Sequence, residues 1–347
     1  MNYSPADIVV TGFSALTPAG SGLEPVLELL RSGGSALSAV PDDVPGGKGQ
    51  MWGKALSFKA TDFIPPLKAR KMDRCSQFTV AASGLALKDA GIDLQNSIPE
   101  RVGIALGCGF GGVANSSEFL SGYFKGGANS LTPMLFPNTV SNAPASNASI
   151  ELGMKGPNVT IVQRFCSAES AFLMACSFIA EGRADVMLTG GADDLMPLMI
   201  AGFKATGQLR SYAASFGEGC GILVLESARH AAERGAHPKG YVRSIATVGL
   251  LPADCVREGV ERLLEDTADC DLLTISGSVT ATAPIMESLP PCPAIDLSPV
   301  IGRSLAMGGT SMAALLASLA PGQDGLHLAA SPEGPYFAIR FGGRRPV

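Results

Sequence analysis

Cys166 stands where an extended run, Thr160–Phe165, meets a helix of small and apolar residues, Ser167–Ala180. A thiol at such a strand-to-helix turn can be presented to a substrate and favoured by the helix N-terminus. It becomes a working nucleophile with a base beside it. The chain has 3 histidines: His230, His237 and His327. His230 and His237 fall in the charged stretch ESARHAAERGAHPKG, which reads as a solvated helix and loop, and His327 falls in a plain apolar strand. None lies in a glycine-rich turn, so a surface or structural role is expected for each, and Cys–His catalysis is poorly supported. Gly107-Cys-Gly109-Phe-Gly-Gly112 fits the G-x-G-x-x-G pattern between a strand and a helix. Dinucleotide binding also needs an acidic residue closing the next strand, about 20 positions on. Residues 125–140 offer none, so these glycines read as sites of close backbone packing. No H-x-x-H, H-E-x-x-H or Cys/His ligand spacing occurs, and neither a metal nor an organic cofactor is expected. The 8 cysteines show no C-x-x-C pair and no tight cluster. Most read as small buried core residues, and no disulfide framework is expected.

The elements that would position these residues alternate. Strand-like runs cover Ile8–Gly12, Arg101–Leu106, Val159–Gln163, Val186–Thr189, Gly221–Leu225, Tyr241–Val248 and Asp271–Ile275. Each is short, apolar or β-branched, and bounded by glycine or charge. Amphipathic helices are predicted over Asp73–Ala90, stopped by Gly91, and over Val256–Glu265. The pattern is that of an α/β protein. Two helices differ: Ser167–Ala180 and Ser304–Leu319 are apolar or small nearly all round, which predicts burial on every side. Each follows an extended segment and a tight turn, Thr160–Phe165 and Ile295–Arg303. One supersecondary unit used twice predicts a layered α-β-α-β-α core made by duplication.

Charged residues make up 16% of the 347, against about 25% in typical domains, and the net charge is −5. A hydrophobic fraction of 46% excludes a disordered chain, and the acidic balance argues against nucleic acid as a partner. So little charge predicts a large face covered by another protein. The opening residues lack the basic and apolar regions of a signal peptide. No uninterrupted apolar run reaches 18 residues, so a cytoplasmic location without a membrane span is expected.

Several segments in order resemble the β-ketoacyl-acyl-carrier-protein synthase family of the thiolase fold. They are Val9-Val-Thr-Gly-Phe, Met72-Asp-Arg-Cys-Ser-Gln-Phe78, Gly156-Pro-Asn-Val-Thr160, Gly182–Gly191, Gly217–Glu226, Ile301-Gly-Arg-Ser-Leu305 and Phe341-Gly-Gly343. The resemblance implies a five-layered α-β-α-β-α fold of two pseudo-repeated halves, residues 1–226 and 227–347. It also assigns positions. The family's nucleophilic cysteine falls at Phe165, with Cys166 one residue late. Its first histidine, in H-G-T-G-T, falls at Ser276 of Ser276-Gly-Ser-Val-Thr280. Its second histidine, in I-G-H-S, falls at Arg303, and its lysine falls at Ser298. In such enzymes the thiol carries the acyl chain and the histidines stabilise developing negative oxygen. With all four positions replaced, the resemblance implies an inactive homologue and no enzyme. The loop between Gly202-Phe203 and Gly217, and the segment Val248–Asp271, are shorter than the family's.

A synthase-like chain of this kind is similar to a chain-length factor. That is the non-catalytic subunit of a type II polyketide synthase, which pairs with an active ketosynthase and meets the acyl carrier protein indirectly through it. The trimmed loops favour a highly reducing, polyene-type system. The implied tunnel wall is the helix after Gly111-Gly112, where Val113, Ser116 and Leu120 share one face, followed by Phe124. Phe136–Ser149 and Asn158–Gln163 are the implied interface, with Phe136, Asn138, Asn158, Thr160 and Val162 as contact residues. The alternatives are a homodimeric acyltransferase using Cys166 and a structural partner in fatty-acid synthesis.

Overall fold

Ten strands set the frame of the computed structural model, which describes residues 8–213, 215–252, 255–265 and 270–344. They are β1 (Ile8–Thr17), β2 (Val102–Cys108), β3 (Asn158–Ile161), β4 (Val186–Asp193), β5 (Gly219–Ser227), β6 (Gly240–Val248), β7 (Leu272–Gly277), β8 (Ala294–Asp296), β9 (Asp324–Ala330) and β10 (Tyr336–Gly343). Their order across one continuous sheet is β8-β7-β9-β10-β6-β1-β5-β4-β2-β3. Numbered within each half, both runs of five read 3-2-4-5-1, with strand 5 alone running antiparallel to the other four. The halves meet through their first strands, antiparallel, at Val9↔Tyr241 and Val10↔Gly240. This repeated order is the duplication that the two apolar helices had signalled. β2 and β4 are buried along their whole length, which explains their unbroken apolar sequence.

Helices fill the layers. α1 (Arg74–Ala90) and α3 (Ala143–Leu152) cover the outer face of the first half-sheet. Asp73 caps α1 by accepting the Ser76 backbone N–H, and Gly91 ends it in the left-handed region at φ 65°. α2 (Val113–Gly126) stands apart, with none of its residues buried. α4 (Ser167–Ala180) and α7 (Gly308–Ser318) lie between the half-sheets. α5 (Val256–Leu264) and α6 (Val279–Ser288) close the outer face of the second. The five layers are those of a thiolase-like fold.

Small residues make this packing possible. A Cβ on Gly221 would lie 2.1 Å from the Thr310 backbone nitrogen, and one on Gly309 2.3 Å from the Gly221 carbonyl oxygen. β5 and α7 therefore touch backbone to backbone. One boundary differs from the sequence expectation. Ile295–Arg303 is not extended throughout: Asp296 ends β8, Oδ1 of Asp296 accepts the Ser298 N–H, and Pro299 favours a short helix over Ser298–Ile301. α7 starts at Gly308, four residues later than predicted.

Candidate functional site

The turn Arg164–Cys166 joins β3 to α4, and Arg164 takes φ 53°, a conformation uncommon for a residue with a side chain. Successive side chains leave this turn in opposite directions. Phe165 is buried among Val40, Ile200, Phe203, Tyr212, Phe216 and Leu305, with its ring 5.1 Å from that of Tyr212. Cys166 enters the core between the halves, where its thiol donates to the Pro335 carbonyl oxygen at 3.2 Å. Burial, with Glu169 and Glu333 adding to it, pushes the Cys166 thiol well above its ordinary range. A helix N-terminus favours a thiolate, but a fully buried sulfur is held in the neutral form.

Ser276 lies near the end of β7, and its hydroxyl donates to Oε1 of Glu169 at 2.6 Å. His327 Nε2 lies 2.9 Å from the same carboxylate oxygen, and its Nδ1 lies 3.0 Å from the Thr274 hydroxyl oxygen. All four residues are fully buried. The expectation that His327 sits in a purely apolar setting is therefore corrected: a histidine and a carboxylate gather around the position where the family resemblance places a histidine. Glu169 is the missed member. It is the sole charged residue in Ser167–Ala180. That was the available signal, since a carboxylate in a helix buried all round needs a buried partner. Gly308 leaves room for it, because a Cβ there would come within 1.9 Å of Glu169 Oε1.

Arg303 and Ser298 meet each other. The buried Arg303 guanidinium donates to the Ser298 hydroxyl at 2.7 Å and to the Gly277 carbonyl, next to Ser276, and Asp296 lies 3.7 Å away. Arg303 thus both bonds backbone and fills space. Burial lowers its pKa from the ordinary value, with Asp296 opposing. The structure brings Phe165, Ser276, Ser298 and Arg303 to one region, where the turn Arg164–Cys166 packs against β7 and β9. Asp193 lies beside them, accepting the Gly109 and Ala306 N–H groups at 2.7 Å each. Burial raises Asp193 to about 7, and Asp194 to about 6. Gly109 is there for close approach, because a Cβ would sit 2.6 Å from Asp193 Oδ1, in keeping with the packing role expected of the glycine run.

An apolar cleft of about 290 Å³ opens beside the turn, lined by Phe110, Val113, Arg164, Leu198, Phe203 and Thr206 among others. Of the four tunnel candidates, Val113 lines it. Ser116 donates its hydroxyl to the Thr139 carbonyl at 3.1 Å, while Leu120 and Phe124 are exposed. Of the interface candidates, Phe136, Asn158 and Val162 are exposed and Thr160 is half-buried. Among the described residues, β3 pairs on one side alone, with β2. Asn138 differs from a surface contact: it is buried, donates to the Lys71 carbonyl and accepts from Asn147. Phe341-Gly-Gly343 lies within β10.

Residues 6–231 match the family described as beta-ketoacyl synthase, N-terminal domain. The chain belongs to the β-ketoacyl synthase family. It is 32% identical over 247 residues to 3-oxoacyl-[acyl-carrier-protein] synthase 2 of Vibrio harveyi, covering 66% of this chain and 60% of that protein. The synthase 2 of Staphylococcus aureus strain N315 is 29% identical over 259 residues, covering 70% of this chain and 63% of the relative. The match thus spans under two thirds of either relative. Among solved structures, the ishigamide ketosynthase/chain length factor superposes with a TM-score of 0.82 at 23% identity, covering 97% of this chain and 99% of the other. A β-ketoacyl synthase from Burkholderia phymatum STM815 gives 0.82 at 21%, covering 98% and 100%. These likenesses establish the fold of this synthase-family chain. They also correct one expectation. The resemblance had implied an inactive homologue, but the relatives carry the name of synthases, and nothing in this family membership indicates inactivity. The replaced positions describe the local site and do not decide the activity of the whole protein. Among the described residues, no helix is long and apolar enough to cross a membrane, and no group of three or more metal-binding side chains occurs.

Proposed function

We propose that this synthase-family chain pairs with a ketosynthase and contributes a wall of the acyl tunnel, as a chain-length factor does in type II polyketide biosynthesis. The observation that carries this reading is α2. None of its residues is buried, and Leu120, Tyr123 and Phe124 stand exposed, as do Met134, Phe136 and Val140 beyond it. Phe119 of α2 and Phe136 hold their rings 5.8 Å apart. A contiguous apolar surface of this kind favours a protein partner over water. The edge of β3, with Asn158 and Thr160, adds unpaired backbone among the described residues, and the exposed Val162 follows it. In this reading the halves 1–226 and 227–347 act as one unit, the acyl carrier protein docks on the partner, and Val113 and Ser116 face the growing chain. Ser116→Trp adds bulk at that wall. With a cysteine-bearing ketosynthase and carrier protein reconstituted, the variant is expected to shorten the product by one or more extension units. An unchanged product length with an intact complex would overturn the tunnel role.

The names of the curated relatives favour a second reading, in which this chain itself condenses acyl units through Cys166. The thiol donates to the Pro335 carbonyl, so the segment Ser331–Pro335 would have to move before an acyl thioester could reach it. An acyl-thioester analogue distinguishes the readings: covalent labelling of Cys166, abolished in Cys166→Ser, supports the second.

A further inference from the structure

Two cysteines that the sequence separates by 22 positions are brought together at the entry to the second half-sheet. Cys270 lies two residues before β7, and Cys292 two before β8. Their Sγ atoms are 3.1 Å apart, and the Cys292 thiol also approaches the Cys270 carbonyl at 3.1 Å. Most of the cysteines are buried, as expected, and these two are among the exceptions. Cys75, Cys108, Cys166, Cys176 and Cys220 are buried, but Cys270 and Cys292 are partly exposed. The backbones are already registered, since Leu273 N–H donates to the Pro293 carbonyl at 2.8 Å and Leu273 pairs with Ala294. Pro290, Pro291 and Pro293 around Cys292 are exposed, so a small disulfide can reach it.

We propose that Cys270 and Cys292 form a reversible, redox-sensitive disulfide that clamps β8 to β7. A low-molecular-weight disulfide such as glutathione disulfide serves as the oxidant. The Cys292 thiolate attacks it, forms a mixed disulfide and releases one glutathione thiolate. The Cys270 thiolate then attacks the Cys292 sulfur and releases the second, so two protein thiols are oxidised and two glutathiones are formed. Burial, with Cys292 beside it, pushes Cys270 up to about 12, which keeps its thiolate scarce and slows the second step. The sulfurs need to close by about 1 Å to reach bonding distance. The clamp bears on the candidate site through β8. Asp296 accepts the Ser298 N–H at 2.9 Å and its hydroxyl at 2.6 Å, and Ser298 accepts from Arg303 at 2.7 Å.

The full chain is incubated with rising glutathione disulfide until the exposed Cys255 carries glutathione. Free thiols are then alkylated and peptides mapped without reductant. A Cys270–Cys292 cross-linked peptide is expected, absent in Cys292→Ser and lost on adding dithiothreitol. Amide exchange over residues 289–303 is expected to slow in the oxidised chain. Recovery of Cys270 and Cys292 as alkylated thiols, or each with its own glutathione, at the concentration that modifies Cys255 would overturn the proposal. Unchanged exchange in a cross-linked chain would overturn the clamp.

Discussion

Glu169, Ser276 and His327 form the most constrained polar group near the site. The carboxylate accepts from the Ser276 hydroxyl and lies 2.9 Å from the imidazole Nε2, and its second oxygen has no hydrogen-bond partner. Removing one partner of a buried hydrogen bond leaves the other unsatisfied, which costs about 1–3 kcal/mol. His327→Ala strips contacts from both Glu169 and Thr274 and leaves a cavity, so it is expected to cost about 2–5 kcal/mol, whereas Ser276→Ala is expected to cost about 1–3 kcal/mol. Urea unfolding of both variants and the double variant measures this. Equal losses for the two single variants would show that the imidazole contributes no more than the Ser276 hydroxyl. The same cluster shows the limit of reading residue types. Cys166 looked accessible because of its place in the chain. Its direction out of the turn decides its exposure, and that direction is set by the conformation of Arg164 and Phe165.

At the scale of elements, backbone contact between β5 and α7 is the feature most sensitive to a single atom group. Gly309→Ala places a methyl group 2.3 Å from the Gly221 carbonyl and 2.6 Å from the Gly191 nitrogen. Neither neighbour is a side chain that can rotate away. The helix must shift, and overpacking of this sort costs about 1–3 kcal/mol or more. Thermal unfolding of Gly309→Ala against Gly202→Ala, where a Cβ meets nothing within 4 Å, separates this from any general effect of removing glycine. A control that loses as much stability as the test variant would remove the close-contact argument. Element boundaries were legible where a cap was local, as at Asp73 and Gly91. At Ile295–Arg303 the signal was equally local, Asp296 accepting from Ser298 two residues on, but the neighbouring residues read as extended.

For the molecule as a whole, buried carboxylates set the response to pH. Burial raises Asp193 to about 7 from 3.8. Between those values the folded chain holds a proton that the unfolded chain has released. The stability from this group is thus present at low pH and lost as pH rises from about 4 to about 7, by about 2–4 kcal/mol. Glu218 and Glu226 act oppositely. Burial pushes each up, but Arg74 and Lys54 around Glu218, and Arg234, Thr11 and His230 around Glu226, hold both below 4.5. Their stabilisation is lost as pH falls through that range. Asp193→Asn is expected to flatten the decline between pH 4 and 7 and to leave the acid limb in place, as read from unfolding free energy against pH. A decline as steep as in the parent chain would show that Asp193 is ionised in the folded protein.

The sequence by itself determined the alternation of strands and helices, the two helices buried all round and the family. Each rests on local composition: small residues can be buried on every face, and ordered motifs survive in one dimension. It also set the positions of Phe165, Ser276, Ser298 and Arg303. Only the tertiary structure decided what surrounds them. The Glu169–His327 pair joins residues 158 apart, Arg303 reaches Gly277 across 26, and the Cys270–Cys292 contact depends on the pairing of β7 with β8. No local pattern encodes such meetings, because they follow from how the repeated half-sheets fold over α4 and α7.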